Sequence, residues 1–132
     1  MTRTLDRFMT CVGLGGLATV FNLTIGKMDY SLAFLMLVMV IDYLTGIMCG
    51  WLDKSLSSEK AIRGLFKKLF IFVYVIIGHH MDMMLHVDYV RIGICYMYAA
   101  GEVLSIIENG TKLGVPVPEP LKKALEIINK GD

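Results

Sequence analysis

Four long apolar stretches divide the chain, with short polar segments between them. They cover residues 8–25, 30–52, about 69–87 and about 90–107. A helix needs about 20 mainly apolar residues to cross a bilayer, so each stretch predicts a membrane-spanning helix. The second stretch meets this requirement most clearly, whereas the fourth contains Arg91 and Glu102. The pattern therefore predicts an all-α membrane protein with about four spans, three being the alternative.

Small and polar residues fall on one face of the second and fourth predicted helices. At 3.6 residues per turn, the face of the second helix holds Asp42, Thr45, Gly46, Cys49 and Gly50. The corresponding face of the fourth helix holds Arg91, Cys95, Tyr98, Glu102, Ser105 and Asn109.

An acidic side chain at the centre of a bilayer costs roughly 2.5–3.5 kcal/mol on insertion scales, and small residues let helices approach closely. We therefore predict that these two faces form a helix-packing or oligomer interface, or line a water-filled path. The structural alternative is a satisfied carboxylate, with Asp42 bonded to Tyr or Thr hydroxyls or paired with Arg91.

Composition supports lipid as the main solvent. Hydrophobic residues make up 55% of the 132 residues, charged residues make up 19%, and the mean hydropathy is +0.61. Soluble domains carry roughly 25% charged residues, and a chain this small cannot bury so much apolar surface inside itself. The cysteines lie within apolar stretches, which indicates buried thiols. Residues 1–132 are expected to form one membrane domain.

The distribution of basic residues predicts the orientation. With four spans, one side of the membrane holds all 13 Lys and Arg residues except Lys27 and Arg91. By the positive-inside rule, both termini and the loop after the second span should lie in the cytoplasm. Residues 8–25 offer no clear cleavage site, so we expect a retained span and not a signal peptide.

Two further segments are predicted outside the spans. Residues 57–70 resemble a basic amphipathic helix on the inner leaflet that runs into the third span. Its headgroup-facing residues would be Lys60, Arg63, Lys67 and Lys68. Flanking charge that merely orients the span is an equally good interpretation.

The tail, residues 108–132, begins with Asn109-Gly110, which resembles a helix stop. A proline-containing spacer follows, and then a short amphipathic helix. Its apolar stripe comprises Leu121, Ala124, Leu125 and Ile128.

Little in the sequence indicates catalysis. His79, Asp82 and His86 have a spacing that could offer metal ligands, but no fourth ligand lies at a useful distance along the chain. No phosphate-binding loop or nucleophile motif is present. We predict no enzyme activity, no catalytic residues, no metal, no cofactor and no nucleic-acid partner.

Two segments resemble a known family. "DYLTGIMCGWLDKSLSSEKAIRGLFKKL" (42–69) and "GEVLSIIENGTKLGVPVPEPLKKAL" (101–125) resemble signatures of the phage holins that include toxin-secretion holins of clostridia. The resemblance covers roughly residues 30–125. The matching positions are Asp42, Thr45, Gly46, Ser58, Lys60, Gly64, Lys67, Lys68, Glu102, Ser105, Glu108, Asn109, Gly114 and Pro116.

The resemblance implies a small phage or prophage protein that oligomerises in the host cytoplasmic membrane. Its lesions would release a cell-wall-degrading endolysin, or serve export of a large toxin, and an antiholin could be a further partner. Two other functions fit the residues alone. One is a non-lytic channel or small transporter subunit that uses Asp42 and Glu102 for ions. The other is a membrane scaffold whose loop and tail recruit a cytoplasmic partner.

Overall fold

The computed structural model describes residues 2–129, apart from the side chains of Thr2, Leu125, Ile128 and Asn129. Within this part the chain forms α1 (Thr2–Ile25), α2 (Tyr30–Leu52), α3 (Ser58–Leu85), α4 (Val90–Lys112) and α5 (Glu119–Asn129). The fold class is all-α, as predicted. The C-terminal helix is also present, although two members of its predicted stripe, Leu125 and Ile128, have side chains outside the described part.

Helices α2, α3 and α4 form a three-helix bundle in which α4 contacts both others extensively, while α2 and α3 contact each other less. The core residues repeat at helical spacing on each inner face. They are Leu32, Leu35, Val38 and Met39 of α2, Ile71 and Val75 of α3, and Cys95 and Ala99 of α4. Helices α3 and α4 approach closely at Gly78, where an added Cβ would lie 2.6 Å from Ile94 Cδ1.

Helix α1 lies beside this bundle and is exposed along almost its whole length. Only its C-terminal end is held, because Phe21 and Ile25 pack against the core and Gly26 lies under the ring of His79. Gly26 has φ +91°, and a Cβ there would lie 2.7 Å from His79 Nδ1. Glycine thus satisfies both the turn after α1 and its close contact with α3.

Large apolar side chains cover the outside of the bundle as well as α1. Leu5, Leu17, Val40, Trp51 and Phe66 are examples, each more than half exposed. In water, so much exposed apolar surface would favour aggregation, but in lipid it is the expected arrangement. Three helices are long and apolar enough to span a bilayer, over Arg3–Ile25, Tyr30–Leu52 and Val90–Lys112. The chain is therefore a membrane protein.

Helix α3 has the length of a span but a more polar composition. Its 28 residues extend about 42 Å, yet its first turns are basic and its last turns read HHMDMML. Because Ile71 and Val75 pack with core residues of α2 and α4, the middle of α3 lies beside those two helices. The basic helix predicted over residues 57–70 is present, and as expected it runs without a break into the rest of α3.

The predicted helix stop at Asn109-Gly110 is wrong. Helix α4 continues to Lys112, and the chain turns at Gly114, which has φ +81°. Asn109 stays helical because its side chain is buried against α2, where it bonds two residues. The left-handed glycine that ends the helix therefore lies one turn later than predicted.

The carboxylates of Asp29 and Asp82 stabilise the end of the bundle that is opposite the α2–α3 loop. Asp82 of α3 accepts hydrogen bonds from the backbone N–H groups of Val90 (2.8 Å) and Arg91 (3.0 Å) and so caps α4 from another helix. Asp29 caps α2 through the N–H of Leu32 and also pairs with the guanidinium of Arg91. This corner ties the beginnings of α2 and α4 to the end of α3.

The environment of Asp29 favours its charged form. Burial alone would raise the pKa of this carboxyl, but hydrogen bonds from Ser31 and Leu32, together with the charge of Arg91, bring the pKa below its ordinary value of 3.8. Because the native pKa is lowered, the charged carboxylate of Asp29 stabilises the fold at pH values above the ordinary pKa of 3.8. That stabilisation is lost as the pH falls through the lowered pKa.

We expect Asp82→Ala to lower the free energy of unfolding by about 1–3 kcal/mol, because two backbone N–H groups at the start of α4 lose a charged acceptor. Amide hydrogen exchange in detergent should show faster exchange at Val90 and Arg91. The control is Asp88→Ala, since Asp88 is an exposed acid in the loop between α3 and α4. Equal exchange in the two variants would contradict the capping role.

Candidate functional site: a charge cluster inside the bundle

The predicted polar faces of α2 and α4 meet each other within one chain, and Asn109 is the residue that joins them. Its Nδ2 donates to Thr45 Oγ1 (3.0 Å) and to Asp42 Oδ1 (3.3 Å). The thiol of Cys49 donates to the backbone carbonyl of Asn109 at 3.3 Å. Polar groups that would be costly in lipid are thus satisfied between two helices of the same molecule.

Lys68 of α3 completes the arrangement. Its Nζ lies 2.9 Å from Asp42 Oδ2 and also forms an ion pair with Glu102 of α4. The three side chains are only 13–15% exposed. We call Asp42, Lys68 and Glu102 the charge cluster. One ammonium placed between two carboxylates links all three helices of the bundle.

The energetic role of the cluster follows from its burial. Each ion loses hydration on leaving water, and pairing with good geometry offsets that cost without turning it into a large gain. Removing one partner is different, because it leaves an uncompensated charge in a poorly hydrated place. The cluster therefore penalises any arrangement of α2, α3 and α4 in which these side chains separate without access to water.

Two predictions about these charges are wrong. Arg91 does not pair with Asp42, because it lies three turns before Glu102 on α4, roughly 16 Å away along the helix, where it binds Asp29. Lys68 does not face lipid headgroups. It shares the inward face of α3 with Ile71, Val75 and Gly78, which follow it at steps of three and four residues.

The other basic residues of the predicted headgroup-facing set remain at the surface. Arg63 pairs with Glu59 at 3.0 Å, with both side chains largely exposed. Lys60 Nζ donates to the carbonyl of Ser55 at 3.3 Å, and Lys67 is exposed. Contact of these three residues with lipid headgroups stays a prediction.

The remaining predicted residues have separate environments. Gly46 is exposed, and an added Cβ would meet its nearest neighbour, Asn109 Nδ2, at 3.8 Å, so no close helix approach depends on it within the chain. Gly50 lies against Leu56, 3.3 Å from where its Cβ would be. Tyr98 stacks on Tyr74 of α3 with ring centroids 5.6 Å apart. Ser105 is half-buried on α4.

Sequence reasoning assigned Lys68 to lipid headgroups and not to the charge cluster, and it missed Asp29 and Gly78. A signal for the first and last of these was present in the spacing. Residues 68, 71, 75, 78 and 82 form one helical stripe, and the structure buries the last four of them. Asp29 stands directly before Tyr30 and the apolar run of α2, and aspartate in that place is typical of a helix N-cap.

We expect Lys68→Met to destabilise the bundle by roughly 3–5 kcal/mol, because Asp42 and Glu102 would be left as buried, unpaired acids. Lys67→Met is the matched control, since it removes the same charge from the neighbouring exposed position. Thermal unfolding in detergent measures both. Neutralising the acids as well, with Asp42→Asn and Glu102→Gln, should restore much of the stability. Equal effects of the two lysine variants would contradict a buried cluster.

Comparison with known proteins places these features in a family. The model of a bacteriophage holin family matches residues 19–130. An uncharacterized 14.9 kDa protein in the nagH 3′ region of Clostridium perfringens is 38% identical, over 89% of this chain and 90% of the relative. A "Probable holin" of Bacillus phage phi105 is 31% identical, over 78% of this chain and 76% of the relative. No solved structure matches. The chain belongs to the bacteriophage holin family.

Proposed function

We propose that this protein is a holin that oligomerises in the cytoplasmic membrane of a bacterial host. Its lesions would release an endolysin or export a large protein, and would lyse the cell. Family membership supports this proposal, as does the similarity to the probable holin of Bacillus phage phi105. No enzymatic family is indicated. Endolysin is the functional partner that the proposal requires.

The observation that carries the proposal is the contrast between the inside and the outside of the bundle. The polar faces of α2 and α4 are directed inward and bonded to each other and to Lys68. The outer surface is apolar along the spans. A single chain can therefore accumulate in lipid without exposing its costly groups.

A lesion requires surfaces that tolerate water. The same inward groups, Asp42, Glu102 and Asn109, supply such surfaces if the contact between α2 and α4 opens during assembly. Water would then hydrate the carboxylates and lower the cost of separating them from Lys68. We infer that the charge cluster keeps the protein closed before assembly and that its opening accompanies lesion formation.

We further propose four spans, with both termini in the cytoplasm. The α2–α3 loop, the beginning of α3 and the tail then share the basic side, and only Lys27 and Arg91 lie opposite. Three spans would move a basic region to the outer side, against the same rule.

We expect Asp42→Asn to advance the onset of lysis in cells that co-express an endolysin, because a neutral amide holds Lys68 less strongly. Asp88→Asn is the matched control, an exposed acid in the loop between α3 and α4. Culture turbidity and released endolysin activity give the onset. Unchanged timing in Asp42→Asn would contradict the closing role of the cluster. Failure of the wild-type protein to lyse cells would contradict the holin proposal itself.

Single cysteines introduced at Lys27 and Ser55, in a variant lacking the native cysteines, should reveal the orientation. Both positions are exposed and lie in loops at opposite ends of α2. We expect a membrane-impermeant maleimide to label position 27 in intact cells and position 55 only after permeabilisation. The reverse pattern, or labelling of both positions in intact cells, would refute the proposed orientation.

A further inference from the structure

An open cavity of about 370 Å³ lies beside the charge cluster, where α2 and α4 end and α3 begins. Three glycines lie in its lining. Gly46 and Gly50 are one helical turn apart on α2, and Gly64 lies opposite them on α3. Because they carry no side chains, backbone borders the cavity and leaves room for a ligand. A volume of this size matches small-ligand sites in proteins.

Lysines outnumber acids in the lining of this cavity. Lys60, Lys68 and Lys112 line it, together with Asp42 and Asp53. Lys68 already binds Asp42 and, outside the cavity lining, Glu102. The Lys60 ammonium donates a hydrogen bond to the neutral backbone carbonyl of Ser55. Lys60 and Lys112 are exposed and form no ion pair with any described residue. Two ammonium groups are thus available to an anion.

An apolar groove of about 220 Å³ continues from this cavity between α2 and α3. The two spaces share Tyr43 and Lys68 in their linings. Elsewhere the groove is lined by apolar side chains, including Leu44, Leu65 and Phe72. It exists because α2 and α3 both pack on α4 and contact each other less. A cationic cavity that continues into an apolar groove fits an amphipathic ligand, whereas a free anion would leave the groove empty.

We propose that the cavity binds the phosphate headgroup of an anionic phospholipid and that one acyl chain of the lipid lies in the groove between α2 and α3. Basic pockets between membrane helices on the cytoplasmic side bind such headgroups. This inference rests on the orientation given under the proposed function, which brings the cavity to the anionic leaflet. Lipid in the groove would fill the space between α2 and α3, which carry Asp42 and Lys68 of the charge cluster. The ligand would thus stabilise the closed protein.

Native mass spectrometry of the purified protein in detergent tests this inference. Phosphatidylglycerol and phosphatidylcholine with identical acyl chains are compared as ligands. We expect phosphatidylglycerol to bind more tightly. The double variant Lys60→Gln/Lys112→Gln should lose affinity for it about tenfold or more, because each lysine near a lipid phosphate contributes about 1 kcal/mol. The control Lys67→Gln/Lys122→Gln removes two charges away from the cavity and should bind within about twofold of wild type.

The groove has its own matched pair of variants. Leu65→Trp should fill the groove and weaken phosphatidylglycerol binding, whereas Ile77→Trp, on the same helix, should not. The two positions are similarly exposed, at 48% and 49%, and only Leu65 lines the groove. Circular dichroism establishes that each variant retains its helices.

Three results would overturn the proposal: equal binding of both lipids, equal loss in test and control variants, or displacement of the lipid by inorganic phosphate at similar concentration. The last result would indicate a site for free anions. Since binding is measured on purified protein, it does not depend on lysis. A protein that lyses cells but shows no lipid preference would disprove the site and leave the holin proposal intact.

Discussion

The ammonium of Lys68 between the carboxylates of Asp42 and Glu102 is the interaction on which the arrangement of this protein depends. Each of the three groups comes from a different helix, and all three are largely withdrawn from solvent. In lipid, apolar side chains give helices little reason to prefer one another over the acyl chains. Charged groups do give such a reason, because separating them in a poorly hydrated place is costly. The cluster thus selects one packing of α2, α3 and α4.

The second charged group lies at the end of the bundle where α2 and α4 begin, and it has a complementary effect. Asp29 and Asp82 hold the beginnings of α2 and α4 through backbone N–H groups and through Arg91. With charges fixed at one end of the bundle and near the middle of α2 and α4, apolar contacts such as those around Val75 and Cys95 fill the part between them. The outer surface stays free for lipid or for other copies of the chain. Helix α1 is held only at its C-terminal end and leaves most of its surface available as well.

The helices and the two polar faces followed from the sequence because both depend on local spacing. Asp42, Thr45 and Cys49 share a face wherever the helix is placed, and so do Glu102 and Asn109. The partner of Asp42 did not follow, because it depends on how helices distant in sequence rotate against each other. Lys68 was grouped with the basic residues beside it, although its spacing from Ile71 and Val75 already placed it on the buried face. The end of α4 was predicted too early since Asn109 is held in the helix by a contact with α2 that local sequence does not reveal.

A distance measurement that separates contacts within one chain from contacts between chains would decide whether the charge cluster holds one chain together. Solid-state NMR can measure the coupling between ¹⁵N at Lys68 Nζ and the ¹³C-labelled carboxyl carbons of Asp42 and Glu102 in lipid bilayers. Labelled protein would be diluted with unlabelled protein to separate contacts within a chain from contacts between chains. We predict that Lys68 lies within about 4 Å of both carboxyl groups and that dilution does not weaken the coupling. A coupling that disappears on dilution would show that these charges join neighbouring chains, and would contradict the closed bundle.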